Sequence, residues 1–173
     1  MECWIEGHSI VPSGAEFCLH TRMMSGDDPL WEEQTGFLSR AGKRRDVTAS
    51  PHREIHLAQP RRVTGWSVAP GVGRRYARAS GDYNPIHLHD AAARRFGFPS
   101  AIAHGMWTLS RSVAELERHR GASCQAVYVR FKRPVFIPSE LSLLTGVESQ
   151  GQMPFKVSDA ENSVDFIEGL WEG

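Results

Sequence analysis

Cysteine is scarce in this 173-residue chain: Cys3, Cys18 and Cys124 are odd in number and far apart. They form neither a disulfide framework nor a zinc spacing, and they suit a reducing compartment. Net charge is also missing, because 20 basic side chains balance 20 acidic ones. Nucleic-acid binders usually carry a basic excess, so no nucleic-acid partner is expected. The short basic runs Lys43-Arg44-Arg45, Arg61-Arg62, Arg74-Arg75 and Arg94-Arg95 read as solvated surface. No apolar run approaches the length of a membrane span. The first residues, Met1-Glu-Cys-Trp-Ile-Glu-Gly, lack the basic and apolar regions of a secretory signal. The expectation is a soluble cytoplasmic protein with no membrane attachment. Gly71-Val-Gly73 lacks the remainder of a dinucleotide fingerprint and receives no cofactor meaning. No internal repeat is visible, and the length suits one domain or one domain plus a fragment.

What is present falls into three zones. In residues 13 to 38, Ala15, Phe17, Leu19, Thr21 and Met23 share one face of a period-two pattern. After the turn Ser25-Gly-Asp-Asp-Pro29, alternation resumes through Trp31, Glu33, Thr35 and Phe37, which completes a hairpin. A lone hairpin is marginal in water and must pack on something. Residues 39 to 60 have little periodicity and read as a linker, in which residues 52 to 57 have the alternative reading of an extended segment.

From residue 63 the chain is richer in pattern. Val63 to Val68 reads as a strand, and residues 72 to 80 as a helix carrying Tyr76 and Ala79 inward. Asp90 is placed to cap a short helix, Ala91 to Phe96, ended by Gly97 and Pro99. Ile102, Met106, Leu109, Val113 and Leu116 form the apolar stripe of one long helix, ended by Gly121. Arg111 and Glu115 lie one turn apart and can pair. Strand patterns follow at Val127 to Phe131, Leu141 to Val147, Met153 to Val157 and Val164 to Leu170. A long helix followed by antiparallel strands is an α+β pattern, with the helix covering one sheet face.

The chemistry concentrates in Ser80-Gly81-Asp82-Tyr83-Asn84-Pro85-Ile86-His87-Leu88-His89. Pro85 fixes its own φ and pushes Asn84 out of the α region. A stiff turn of this kind can hold Asp82 and His87 in fixed relation, as acid–base chemistry requires. Gly, Asp, Asn and Pro are also ordinary turn formers, so a plain surface turn is the competing reading. Asn84 has two roles open, capping the turn or bonding a substrate. His87, His89 and Asp82, with His104 nearby, raise a metal site as a further alternative. Gly105, at the start of the long helix, is either a packing glycine or a place where free N–H groups meet an anion.

The ordered positions Gly81-Asp82-x-Asn84-Pro85-x-His87 make more than a turn signature. With Phe96-Gly-Phe-Pro and Ile102-Ala-His-Gly-Met106, the run from Tyr76 to His89 resembles the MaoC-like (R)-specific enoyl-CoA hydratases and 3-hydroxyacyl dehydratases. The similarity covers about residues 60 to 173. It implies a hotdog fold, a curved antiparallel sheet wrapped around a helix at about His104 to His119. It divides the chain into 1–45, a hairpin resembling the remnant of a second hotdog half; 46–60, a linker; and 61–173, the catalytic hotdog domain. It implies that Asp82 and His87 activate a water that adds across an enoyl thioester. It gives Gly105 the oxyanion role, and groups Asn84 and His104 with it in substrate binding. Family members work without a metal or other cofactor, their substrate being carried on CoA or acyl carrier protein. The expected assembly is a homodimer. Val113 stands where relatives often carry a pocket hydroxyl, whereas Thr108, Ser110 and Ser112 are present nearby. A non-catalytic thioester-binding subunit and a thioester hydrolase are the competing functions.

Overall fold

The computed structural model describes residues 1–11, 14–39 and 55–173. The chain divides into two compact units, Met1–Arg53 and Glu54–Gly173.

The first unit is an antiparallel sheet of three strands in the order β1-β2-β3: β1 (Glu2–Val11), β2 (Gly14–Ser25) and β3 (Asp28–Ser39). The expected hairpin is β2 and β3, joined at Gly26, whose φ of 62° suits only glycine without strain. The strand β1 is a correction to the sequence reading. Its register shifts between Glu6 and His8, where Gly7 has a φ of 67°. This bulge breaks the period-two alternation, which hid the strand. On one face of the sheet, Phe17 and Phe37 stand opposite each other and stack with ring centroids 5.2 Å apart.

The second unit begins, within the described residues, at Ile55, which is buried. The linker reading of 46–60 falls partly outside the described residues. Within them, the Ala58 carbonyl accepts from Val147 N–H of the same unit at 3.2 Å. Then come β4 (Arg61–Val68), α1 (Val72–Ser80), a single 3-10 turn (Pro85–His87), α2 (Asp90–Arg95) and α3 (Gly105–Arg120). Four strands close the chain: β5 (Ala126–Phe131), β6 (Ser139–Thr145), β7 (Gln152–Asp159) and β8 (Asp165–Glu172). They form one antiparallel sheet in the order β4-β6-β7-β8-β5. Leu109 and Leu116 of α3 join Leu141, Leu143, Phe155, Val157, Ile167 and Trp171 in a single core. One long helix against one antiparallel sheet is the expected α+β hotdog arrangement.

Three local expectations change. The buried face of α3 is Thr108, Leu109, Ser112, Glu115 and Leu116, whereas Met106 is exposed. The stripe is rotated because the helix buries small polar residues whose hydroxyls bond within it: Ser112 Oγ donates to the Thr108 carbonyl at 2.7 Å. Glu115 tolerates burial because Arg111, as expected, pairs with it at 2.6 Å and Arg118 pairs with it too. In α1 the inward residues are Val72, Gly73 and Ala77, with Ala79 exposed. Asp90 does not cap α2. It lies inside the first turn, and its Oδ1 accepts from Ala101 N–H at 2.8 Å.

Phe155 is fully buried, and its ring lies over Gly169, where an added Cβ would come within 2.4 Å of it. We expect Phe155→Ala to lower stability by roughly 3–5 kcal/mol in urea denaturation. Gly169→Ala should destabilise as well, since the ring must leave its rotamer to make room.

Candidate active site

The helix α1 ends at Gly81, whose φ of 77° turns the chain sharply and whose N–H caps the Ala77 carbonyl at 2.9 Å. That turn delivers Asp82. Ser80 Oγ accepts from Asp82 N–H at 3.2 Å, and Asp82 Oδ1 accepts from Asn84 N–H at 3.0 Å. One carboxylate oxygen is therefore tied to the loop and Oδ2 is left to face elsewhere. Asn84 is extended, as a residue before proline should be, and its side chain accepts from Ile86 N–H. It caps the 3-10 turn and lines neither of the cavities described below, so its substrate-binding expectation finds no geometric support.

Pro85 opens the turn that ends in His87. The ring of His87 is held at its edge: Nδ1 lies 2.9 Å from the Ile102 carbonyl. A carbonyl only accepts, so Nδ1 carries the hydrogen and the neutral ring keeps its lone pair on Nε2. Ile102 N–H in turn donates to the Ile86 carbonyl at 3.1 Å, which makes the strap reciprocal. His87 Nε2 lies 3.8 Å from Asp82 Oδ2. A water within ordinary hydrogen-bond distance of both atoms, about 2.7–2.9 Å, spans that separation. Burial pushes the His87 pKa down; the Ile102 hydrogen bond opposes this, His104 adds to it, and Asp82 opposes it. The half-exposed Asp82 carboxylate keeps one side open to solvent.

Two adjoining cavities share His87 and Gly105. The larger, about 300 Å³, is walled by Ile102, Ala103, Thr108, Phe131, Val135 and Ile167, with Lys132 and Arg133 also on its lining. The smaller, about 140 Å³, is bordered by Tyr76, Asp82, His104 and Met106. Gly105 is the first residue of the 16-residue α3, so its N–H has no intrahelical partner and lies at the positive end of the helix dipole. A Cβ at Gly105 would come 3.0 Å from the Phe131 ring, so the bare backbone keeps this corner open. Thr108, not residue 113, lines the larger cavity, its hydroxyl donating to the His104 carbonyl at 3.4 Å; Ser110 is exposed and Val113 packs against the core.

His104 is 3% exposed and its Nε2 lies 3.0 Å from the Asp82 carbonyl. Asp82, His87 and His104 each bring a possible ligand atom within 4.8 Å of the others, whereas His89 is exposed and outside the group. Both histidines spend one ring N–H on a peptide carbonyl. For His104 that nitrogen is the one facing Asp82, and a nitrogen bearing a hydrogen cannot ligate. The donor set fits hydrogen-bonded acid–base chemistry better than a metal.

Two contributors escaped the sequence reading. Gly73 of α1 lies so close to the motif that a Cβ there would sit 1.9 Å from the His87 carbonyl oxygen. The second glycine of the pair that carries no cofactor meaning is thus a packing requirement of the motif turn. Phe131, read as the end of a strand, forms the wall opposite Gly105.

An acid–imidazole pair beside a helix N-terminus, in a helix-and-sheet hotdog, defines the class. The MaoC like domain model matches residues 46–168, and the chain belongs to the MaoC-like dehydratase family. It is 36% identical over 127 residues to 3-hydroxyacyl-thioester dehydratase X of Mycobacterium tuberculosis, covering 72% of this chain and 44% of that protein. It is 31% identical over 149 residues to peroxisomal multifunctional enzyme type 2 of Drosophila melanogaster, covering 80% of this chain and 24% of that one. The chain thus spans less than half the length of these curated relatives. Among solved structures, HtdX of M. tuberculosis superposes with a TM-score of 0.76 at 27% identity, over 99% of this chain and 65% of that one. A MaoC-like dehydratase from Phytophthora capsici shares the fold with a TM-score of 0.81 at 18% identity, over 98% of this chain and 60% of that one.

The depressed His87 pKa has a consequence for stability. The unfolded imidazole takes up a proton near pH 6.5, and the folded one resists it. The unfolded state therefore binds more protons in that window, and stability should fall as pH drops from about 6.5 through the lower folded value. Denaturation at a series of pH values should show this slope, and His87→Gln should flatten it. Gly73→Ala should both destabilise the chain and disturb the motif, seen as a lower melting temperature and shifted His87 NMR resonances.

Proposed function

We propose that this chain is a hydro-lyase acting on acyl thioesters. It adds water to 2-enoyl thioesters with (R) specificity, or in reverse dehydrates (R)-3-hydroxyacyl thioesters. The observation that carries this reading is the 3.8 Å separation of Asp82 Oδ2 and His87 Nε2 at the junction of two cavities that share Gly105. The name of one relative, 3-hydroxyacyl-thioester dehydratase X, supports the same class.

In the forward direction a water held between Asp82 Oδ2 and His87 Nε2 attacks C3 of the enoyl group. One of the pair takes its proton, and a proton is delivered to C2, so no atom is gained or lost beyond the water itself. Negative charge passes to the thioester oxygen during the attack. The Gly105 N–H at the tip of α3 stabilises it, where a fixed donor in an apolar wall costs no reorganisation. Thr108 lines the larger cavity beside it. No metal or other cofactor enters this scheme. The substrate arrives as a CoA or acyl carrier protein thioester.

Assembly as a homodimer in the cytoplasm belongs to the same proposal. The strand β5 is an edge of the five-stranded sheet, and Val127, Tyr128 and Phe131 on it are exposed. An edge of that kind invites pairing with a second copy. The competing reading, a non-catalytic thioester-binding subunit, draws on the first unit. Among its described residues it has three strands and no helix, so it offers less of a second hotdog half than the second unit does.

Loss of enoyl-thioester absorbance is the assay. The wild-type chain should turn over, and Asp82→Asn and His87→Ala should each lose at least about 10²-fold in kcat/KM. The acid limb of the wild-type profile should lie below the ordinary imidazole value of about 6.5, since His87 must be neutral to act. Binding of acyl-CoA without turnover would favour the subunit reading, and release of free thiol would indicate hydrolysis. Sedimentation should return twice the 19.3 kDa chain mass; a monomer would remove the dimer.

A further inference from the structure

His104 stands at the N-cap of α3, a position that favours side chains able to bond the first-turn N–H groups. Its backbone is extended, with φ −61° and ψ 134°, yet its side chain makes no cap bond. The ring turns inward, to 3% exposure, and its Nδ1 has no hydrogen-bond partner among the described residues. A buried lone pair left unmatched is costly, and an apolar ring of the same size would avoid the cost. What the imidazole supplies instead is one directed bond, from Nε2–H to the Asp82 carbonyl at 3.0 Å. It also supplies a flat face: the His104 and His87 rings stack with centroids 3.8 Å apart at 25°. Tyr76 of α1 backs it, tilted at 4.9 Å.

We propose that His104 is a positioning residue, holding the Asp82 backbone by its Nε2–H and the His87 ring by its face, so that both catalytic groups point at one cavity. This rests on the hydro-lyase reading given above, but assigns to His104 a role other than substrate contact. Asp82 needs such a tether. Its carboxylate is half exposed, and its bonds to Ser80 and Asn84 lie within its own exposed loop. His87 is tied at its edge by the Ile102 carbonyl, and only a neighbour on its face can set the tilt of its plane. The charged and titratable groups around His87 are Asp82, His104 and Tyr76 on the smaller cavity and Lys132 and Arg133 on the larger. Of these, His104 is the one in ring-to-ring contact with it, and it disfavours a positive charge on His87.

Two variants separate the tether from the face. His104→Phe keeps a flat ring and removes the N–H; His104→Gln keeps an N–H and removes the ring. Each is compared with wild type by enoyl-thioester kinetics and by NMR titration of the His87 ring. His104→Phe should lose roughly 10- to 100-fold in kcat, the scale of an ångström-sized misplacement, with KM nearly unchanged. The His87 midpoint should rise, because the neighbouring imidazole no longer opposes its charge. His104→Gln should recover part of the lost kcat through its donor. Wild-type kcat together with an unmoved His87 midpoint in His104→Phe would overturn the proposal, as would a loss confined to KM. Should His104→Phe fail to fold, the kcat loss and His87 shift in His104→Gln decide the matter. Absence of turnover in wild type would defeat the hydro-lyase reading, while the His87 midpoint in the variants would still test the contact.

Discussion

The hydrogen bond from His87 Nδ1 to the Ile102 carbonyl is the contact on which the site depends. It ties the proline turn to the segment that leads into α3, and it does so through the ring itself. Because the carbonyl can only accept, the bond decides which nitrogen of His87 is free to meet a water. The return bond from Ile102 N–H to the Ile86 carbonyl keeps the two segments in register. Two residues later the same segment delivers His104 and Gly105. The motif turn, the His104 ring and the helix N-terminus are thus set by one strap.

The rest of the second unit serves to hold that strap in place. Residues 101 to 103 are all buried, and Ala103 N–H donates to the Val135 carbonyl at 2.8 Å. Ile137 N–H donates to the Ala101 carbonyl at the same distance, so the segment joins the sheet side through backbone bonds. The helix α3 then leaves Gly105 along the sheet, buried through Leu109 and Leu116. Packing of α1 is equally specific: Gly73 lets it approach the His87 carbonyl where any side chain would collide. Burial has a price in polarity, and the site meets it by pairing. His87 and His104 each satisfy one nitrogen on a carbonyl, and Glu115 takes two arginines.

Much of this was legible in the residue order. The motif is contiguous, so Asp82, Asn84, Pro85 and His87 announce a rigid turn without help from distant parts of the chain. The long helix and the later strands also follow from local periodicity, to within a residue or two at their ends. Where local pattern was interrupted, legibility failed. The bulge at Gly7 disguised β1, and hydroxyls hydrogen-bonded within α3 moved its buried face away from the apolar stripe. Asp90 looked like a cap because caps and long-range acceptors use the same side chain; its partner, Ala101 N–H, lies 11 residues on.

What the sequence by itself determined is therefore the α+β class, the acid and the imidazole, and the glycine at the head of the helix. These rest on neighbours in the chain and on the short-range preferences of proline, glycine and apolar side chains. Tertiary structure alone decided that His104 stacks on His87 and bonds the Asp82 carbonyl, and that Gly73 and Phe131 shape the site. Each of those roles depends on a distance between residues remote in the chain. Such distances arise only when the core closes, and no spacing in the sequence encodes them locally.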